Sequence, residues 1–304
     1  MEIKMKKNVL IAILGAFFSM RSYALDTCAK IEQLELFKKA YPDITFNKIW
    51  DNEKEDYLIL VHIDGQPEYE SEELYWAGGK LLPEEKLCDK EKYTQILYHY
   101  PADIDDPEKM SNVQRESLKQ ECIEESQKET GSPMFFYDYL YDSFERSKLE
   151  THITKISYLG LTMKVHKKIV EPAKRVEKRI LQAAKTSKAV QTFLKELTID
   201  AFFLRVIKGT DRKSFHSLGI AIDVLPKNLH GKQTYWAWAK DKIGENWALL
   251  PFSQRWFPPK EVIEAFEAEG FIWGGKWGIW DTMHFEYRPE ILLYNKNNQN
   301  IIKE

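Results

Sequence analysis

Ser214-Phe-His-Ser-Leu-Gly-Ile-Ala-Ile-Asp223, taken together with Asp281-Thr-Met-His-Phe-Glu286 further along, decides how this chain reads. Between His216 and Asp223 lies a turn that Gly219 makes easy, and Ile220, Ile222 and Val224 then alternate as a half-buried strand does. Ala221 and Asp223 share the opposite face of that strand. His216 in the turn and Asp223 on the strand can therefore aim at one point, while Asp281 and His284 approach from a second element. Two imidazoles and a carboxylate suit zinc, and three such ligands leave a fourth position open. That is the arrangement of a catalytic site rather than of a closed structural one.

Ser214, His216, Gly219, Ala221 and Asp223 spell the pattern S-x-H-x-x-G-x-A-x-D, and Asp281 with His284 adds a carboxylate-x-x-H. A single His-to-Asp spacing recurs by chance; the joint pattern does not. It resembles the zinc D-alanyl-D-alanine carboxypeptidase family, which includes vancomycin-resistance peptidases and phage endolysin peptidases. Trp273-Gly-Gly-Lys-Trp277 resembles the endolysin branch in particular. The resemblance implies Zn2+ on His216, Asp223 and His284, with Asp281 as general base. Several members carry glutamate where this chain has Asp281, which leaves the scissile bond open between a terminal D-alanine and an L-alanyl-D-glutamate link. A non-catalytic, zinc-stabilised wall-binding module is the reading from another class.

The family's substrates carry carboxylates beside the cleaved bond, so the resemblance also implies a cation in the cleft. Arg205 and Arg212 are the candidates, since a guanidinium offers a bidentate fork, and the resemblance favours Arg205. Ser214 either donates to substrate or bonds its own turn. Glu286 reads as a partner orienting a histidine ring. Trp273, Trp277 and Trp280 are expected to wall the groove, with Trp277 against the substrate. Trp236, Trp238, Trp247 and Trp256 read as core or loop anchors, and His62, His99, His152, His166 and His230 as structural or exposed.

The chain's 304 residues with 43% hydrophobic content suffice for one large domain or two modest ones. Lys4, Lys6 and Lys7 precede an apolar run from Val9 to Phe18, and Ser22-Tyr-Ala24 offers small residues for cleavage, so residues 1–24 read as a secretory signal peptide. The run is shorter than the roughly 20 residues that span a bilayer, and no later stretch is longer. A secreted or periplasmic mature protein is expected. Removing Lys4, Lys6, Lys7 and Arg21 against Glu2 takes the formal charge from −3 to −6, which argues against a nucleic-acid partner. Peptidoglycan stem peptides are the expected partner. Cys28, Cys88 and Cys122 lie in the first half, where two can pair; Leu25-Asp-Thr-Cys28 makes a poor lipid-attachment site.

Residues 25–132 read as a smaller N-terminal α+β region that ends in a charged linker. Ile31, Leu34, Leu36 and Phe37 open a helix, Tyr57 to Ile63 a strand, and Asp64-Gly65 a turn. Residues 101–132 are rich in Asp, Glu, Ser, Lys and Gln between prolines, and the aromatic run from Phe135 to Tyr141 marks re-entry into a core, so a boundary is expected near 133. Within 133–304 the spacing predicts a β segment at 153–161 and a helix over 171–184 with Ala173, Val176 and Ile180 inward. The outer side of that helix is basic, either solvated or drawn to anionic wall polymers. A second helix carries Val190, Phe193 and Leu194. Strand 202–207 leads to a turn at 208–212, and a further helix follows Pro258-Pro259. Strands and helices that do not alternate regularly point to an α+β fold, a mostly antiparallel sheet flanked by helices.

Overall fold

A computed structural model describes residues 32–204 and 213–301. The expected leader, Cys28, Arg205 and Arg212 lie outside the described residues. The chain divides into two compact units, residues 1–90 and 91–304.

In the first unit, helix α1 (Leu34–Ala40) buries Leu34, Leu36 and Phe37. Strands β1 (Ile44–Asp51), β2 (Asp56–Ile63) and β3 (Glu72–Tyr75) form an antiparallel meander in that order. Ile59 and Val61 of β2 are fully buried with Ile44 and Leu74, the two-residue period of a one-sided sheet. Cys88 is free and exposed here.

The second unit begins with residues that sequence alone marks as linker. Helix α2 (Asn112–Gln127) starts at a capping box made by Ser111 and Gln114. Its apolar stripe is narrow: Leu118 and Cys122, four residues apart, pack against Trp247 and Trp280. Helix α3 (Phe135–Leu140) is buried along almost its whole length, as the aromatic run predicts. After α4 (Arg146–His152), the single expected β segment is a hairpin, β4 (Ile153–Tyr158) and β5 (Leu161–His166). Leu159 and Gly160 turn it with φ of 51° and 80°, the sign that matches strand twist.

Helices α5 (Val170–Ala183) and α6 (Lys188–Glu196) fall where the periodicity predicts, with Ala173, Val176, Ile180, Val190 and Phe193 inward. The four-stranded sheet that follows is antiparallel throughout. It consists of β6 (Leu197–Asp200), β7 (Ala221–Pro226), β8 (Phe271–Trp273) and β9 (His284–Tyr287), in the spatial order β6-β7-β9-β8. The strand before the site is β6, and residues 202–204 of the expected 202–207 are not in a strand; residues 205–207 lie outside the described residues. Asp200 ends it: its carboxylate accepts from the Ala201 N–H at 2.9 Å, turning the chain out of the ladder.

Helix α7 (Trp236–Ile243) and helix α8 (Lys260–Glu267) complete the connections, α8 starting after the expected prolines. Phe266 of α8 stacks on Phe285 at 3.9 Å and meets Phe271 edge-on, so one sheet face is closed by helices. The opposite face carries Ala221, Asp223, His284 and Glu286. Helix α9 (Pro289–Ile301) is tied to residues 96–100: the Tyr100 N–H donates to Asn295 Oδ1 at 2.9 Å, and Asn295 Nδ2 donates to the Tyr98 carbonyl at 2.9 Å. The expected α+β architecture is therefore present, with antiparallel sheets and flanking helices. No helix among the described residues is long and apolar enough to cross a membrane.

Candidate metal centre

Cross-strand register makes the site. Asp223 on β7 stands directly opposite His284 on β9, so their side chains rise from the same sheet face. His216 comes from a short 3-10 turn, Phe215–Leu218, just before β7. Ser214 caps that turn, its hydroxyl accepting from the His216 N–H at 3.3 Å. Gly219 closes it at φ 71°, and a Cβ there would lie 2.8 Å from the His166 backbone nitrogen and 2.7 Å from Ile153 Cδ1. Only glycine meets both conditions.

The three side chains converge. His216 Nε2 lies 3.1 Å from His284 Nδ1, His284 Nδ1 lies 2.8 Å from Asp223 Oδ1, and His216 Nε2 lies 3.2 Å from that same oxygen. All three residues are buried. The outer ring nitrogens are spoken for: His216 Nδ1–H donates to the Ala201 carbonyl at 2.6 Å, and His284 Nε2–H donates to Glu286 Oε1 at 3.0 Å. With those protons assigned, the inward atoms are two imidazole lone pairs and a carboxylate oxygen facing one another away from water. Such a set is repulsive unless a cation lies among it, and this donor set fits zinc. Among the described residues it is the one such group of three His, Cys, Asp or Glu side chains.

Electrostatics agree. Burial works against a charge on His284, but the Asp223 and Glu286 carboxylates outweigh it and hold the ring's pKa well above the ordinary imidazole range. Burial would likewise raise Asp223, yet the His216 and His284 rings beside it hold it well below the usual carboxylate range. A proton on His284 would satisfy this cavity, and a divalent ion held by the three side chains would have to displace it.

Asp281 sits in the turn that enters β9. Its N–H donates to the Gly274 carbonyl at 3.0 Å, its carbonyl accepts from the His284 N–H at 3.3 Å, and it pairs with Tyr235 in an antiparallel bridge. The Trp273-Gly-Gly-Lys-Trp277 motif is the floor of this turn. A Cβ on Gly274 would meet the Asp281 carbonyl at 2.7 Å, and one on Gly275 would overlap the Trp273 ring. Lys276 is anchored away from the site, 2.7 Å from Glu267 Oε1. Trp277 is half-buried with its ring 5.7 Å from that of His284. Trp273 and Trp280, expected beside it as groove walls, are core residues at 3% and 1% exposure, because their rings are needed to close the packing under the sheet and against α2. Trp238, expected as an anchor, is 49% exposed.

Two neighbours of His216 carry no sequence signal. The Ala201 carbonyl is backbone, and Phe203, with its ring 6.1 Å from His216, looks in sequence like one more strand residue.

Residues 208–287, about a quarter of the chain, match the family described as D-alanyl-D-alanine carboxypeptidase. The match is confined to this segment. His216, Asp223 and His284, together with Asp281 and the glycine motif, fall inside the matched range. Residues 33–98 match a second family, described as a domain of unknown function. No curated protein and no solved structure matches the chain.

Proposed function

We propose that the chain is a zinc metallopeptidase that cleaves peptidoglycan stem peptides outside the cytoplasm, in the first instance as a D-alanyl-D-alanine carboxypeptidase. The observation that carries this reading is the meeting of His216 Nε2, Asp223 Oδ1 and His284 Nδ1 within hydrogen-bond distance of one another, with both rings' other nitrogens engaged. These three atoms would hold Zn2+. When bound, such an ion supplies Lewis-acid polarisation of a carbonyl and lowers the pKa of coordinated water to about 7.

The chain's own residues supply the rest. The Asp281 carboxylate accepts the proton of the attacking water and returns it to the leaving amine nitrogen. Its backbone, pinned between Gly274 and Tyr235, fixes the place from which it does so. Ser214 serves the turn that presents His216, since its hydroxyl already accepts from that backbone. Trp277 excludes water beside His284 and offers an aromatic face to a small apolar side chain. Arg205 or Arg212 pairs with the substrate carboxylate, for which a guanidinium fork is suited. The leader at residues 1–24 delivers the chain to the compartment where the wall lies.

Asp281→Asn is expected to keep its zinc, measured as metal content of the purified protein, and to lose at least about 100-fold in muropeptide cleavage. Undiminished turnover would remove Asp281 from the mechanism. Mass spectrometry of the digest separates the two peptidase readings. Loss of one terminal alanine supports the carboxypeptidase, while release of a whole stem supports an L-alanyl-D-glutamate endopeptidase, which the glycine motif and the aspartate at 281 favour. A protein that holds zinc, unfolds under a chelator and leaves every muropeptide intact would be a wall-binding module instead.

A further inference from the structure

Behind His284 a line of buried charge runs out of the segment that matches the peptidase family. Glu286, which accepts from His284 Nε2, has its other oxygen 3.6 Å from Arg288 Nη1. Arg288 Nε–H donates to Glu290 Oε1 at 2.6 Å, and the Tyr137 hydroxyl donates to that same oxygen at 2.7 Å. The remaining guanidinium nitrogen donates to the Ile96 carbonyl at 3.2 Å. Arg288 is 2% exposed and Glu290 0%. The rings of Tyr137 and Phe215 also each lie 4.8 Å from its central carbon.

So extensive a burial of charge needs a reason beyond stability, because packed apolar side chains of similar volume are often as stabilising as a buried ion pair. One end of this line supplies the reason: it stops at a metal ligand. His284 can present Nδ1 inward only while its Nε2 proton is held outward, and Glu286 holds that proton. Glu286 in turn has one oxygen for His284 and one facing Arg288, so the position of Arg288 decides where the first oxygen points. Glu290 and Tyr137 decide the position of Arg288. The helix that carries Tyr137 also reaches the other ligand segment. Asp138 receives Lys213 Nζ at 2.8 Å, three residues ahead of His216, and the Tyr137 ring meets that of Phe215 at 5.3 Å.

We infer that Tyr137, Arg288 and Glu290 are positioning residues, which aim Glu286 and through it the His284 ring, with helix α3 the buttress that keeps both ligand segments in register. None of the three lies in residues 208–287. The inference rests on the zinc reading above, and the test separates the two.

The measurement is the zinc dissociation constant of the full chain, by competition with a chromophoric chelator, for the unsubstituted protein, Tyr137→Phe, Glu286→Gln and the double variant. Tyr137→Phe is isosteric and removes only the hydroxyl that holds Glu290, so it avoids the misfolding that loss of Arg288 risks. Glu286→Gln is expected to weaken zinc about 10–100-fold, as loss of an orienting partner does. Tyr137→Phe is expected to weaken it by a smaller factor and to alter the visible absorption of the cobalt(II)-loaded protein. In the double variant the Tyr137→Phe effect should vanish, because it acts through Glu286. An unchanged affinity and cobalt spectrum for Tyr137→Phe, or two effects that simply multiply, would overturn the inference while leaving zinc binding intact. An unsubstituted protein that fails to bind zinc would overturn the metallopeptidase reading, and this inference with it.

Discussion

At the scale of single residues, the candidate metal centre depends on conformations that few side chains tolerate. Gly219→Ala places a Cβ at φ 71° and 2.8 Å from a backbone nitrogen, so a loss of about 1–3 kcal/mol is expected from the dihedral alone, with the clash added. Urea denaturation of the metal-free protein checks it; a change under about 0.5 kcal/mol would contradict the account. His166, whose N–H donates to the Gly219 carbonyl at 2.8 Å, makes a pH prediction. Burial, then the nearby His152 and Lys168 charges, push its pKa down from 6.5 to about 3. The unfolded chain therefore takes up a proton that the folded chain refuses. The neutral ring's contribution is complete above pH 6.5 and is lost as pH falls toward 3, at up to about 1.4 kcal/mol per unit. Denaturation across that range should show the slope, and His166→Gln should flatten it. The converging His216, Asp223 and His284 and the turn glycine were all legible in the residues, because few residue types can do what each position asks. Ala201 was not, since any residue can offer a carbonyl.

Elements show where local pattern and tertiary demand part company. Helix α5 has the basic outer side that its sequence predicts, yet Arg175 and Arg179 both reach Glu269, at 2.5 and 2.6 Å. Part of the positive charge on this helix is thus used within the unit. Both arginines are about half exposed, while Glu269 is 9% exposed. Replacing either arginine by alanine should shift stability by under about 1 kcal/mol, since the other still covers the carboxylate and solvent screens the pair. Replacing both should cost more than the two single effects together, read as a double-mutant cycle in urea. Strand β6 teaches the converse lesson. Phe202 to Ile207 has the better β composition, but the ladder closes at Asp200, whose own carboxylate takes the next N–H, and the following carbonyl goes to His216. Composition cannot weigh those two local bonds against a strand.

At the scale of the molecule, the second unit reaches further toward the N-terminus than its charge pattern suggests. Ile96, Tyr98 and Tyr100 bond Arg288, Asn295 and Trp273, and Cys122 is buried in the tryptophan cluster, where burial pushes its thiol up to about 11 and leaves it unreactive. A chain starting at Glu91 is therefore expected to fold and bind zinc, whereas one starting at Pro133 should lose cooperative unfolding, as followed by near-ultraviolet circular dichroism and calorimetry.

From the sequence alone came the α+β class, most helices, the three converging side chains and the peptidase-family resemblance, because periodicity, glycine geometry and donor chemistry are local constraints written in residue types. The tertiary structure alone decided which hydrogen bonds aim the histidines, which tryptophans are core, and that Tyr137, Arg288 and Glu290 stand behind the site. Those choices depend on distances between residues remote in the chain, and charged side chains look the same in sequence whether they meet solvent or one another.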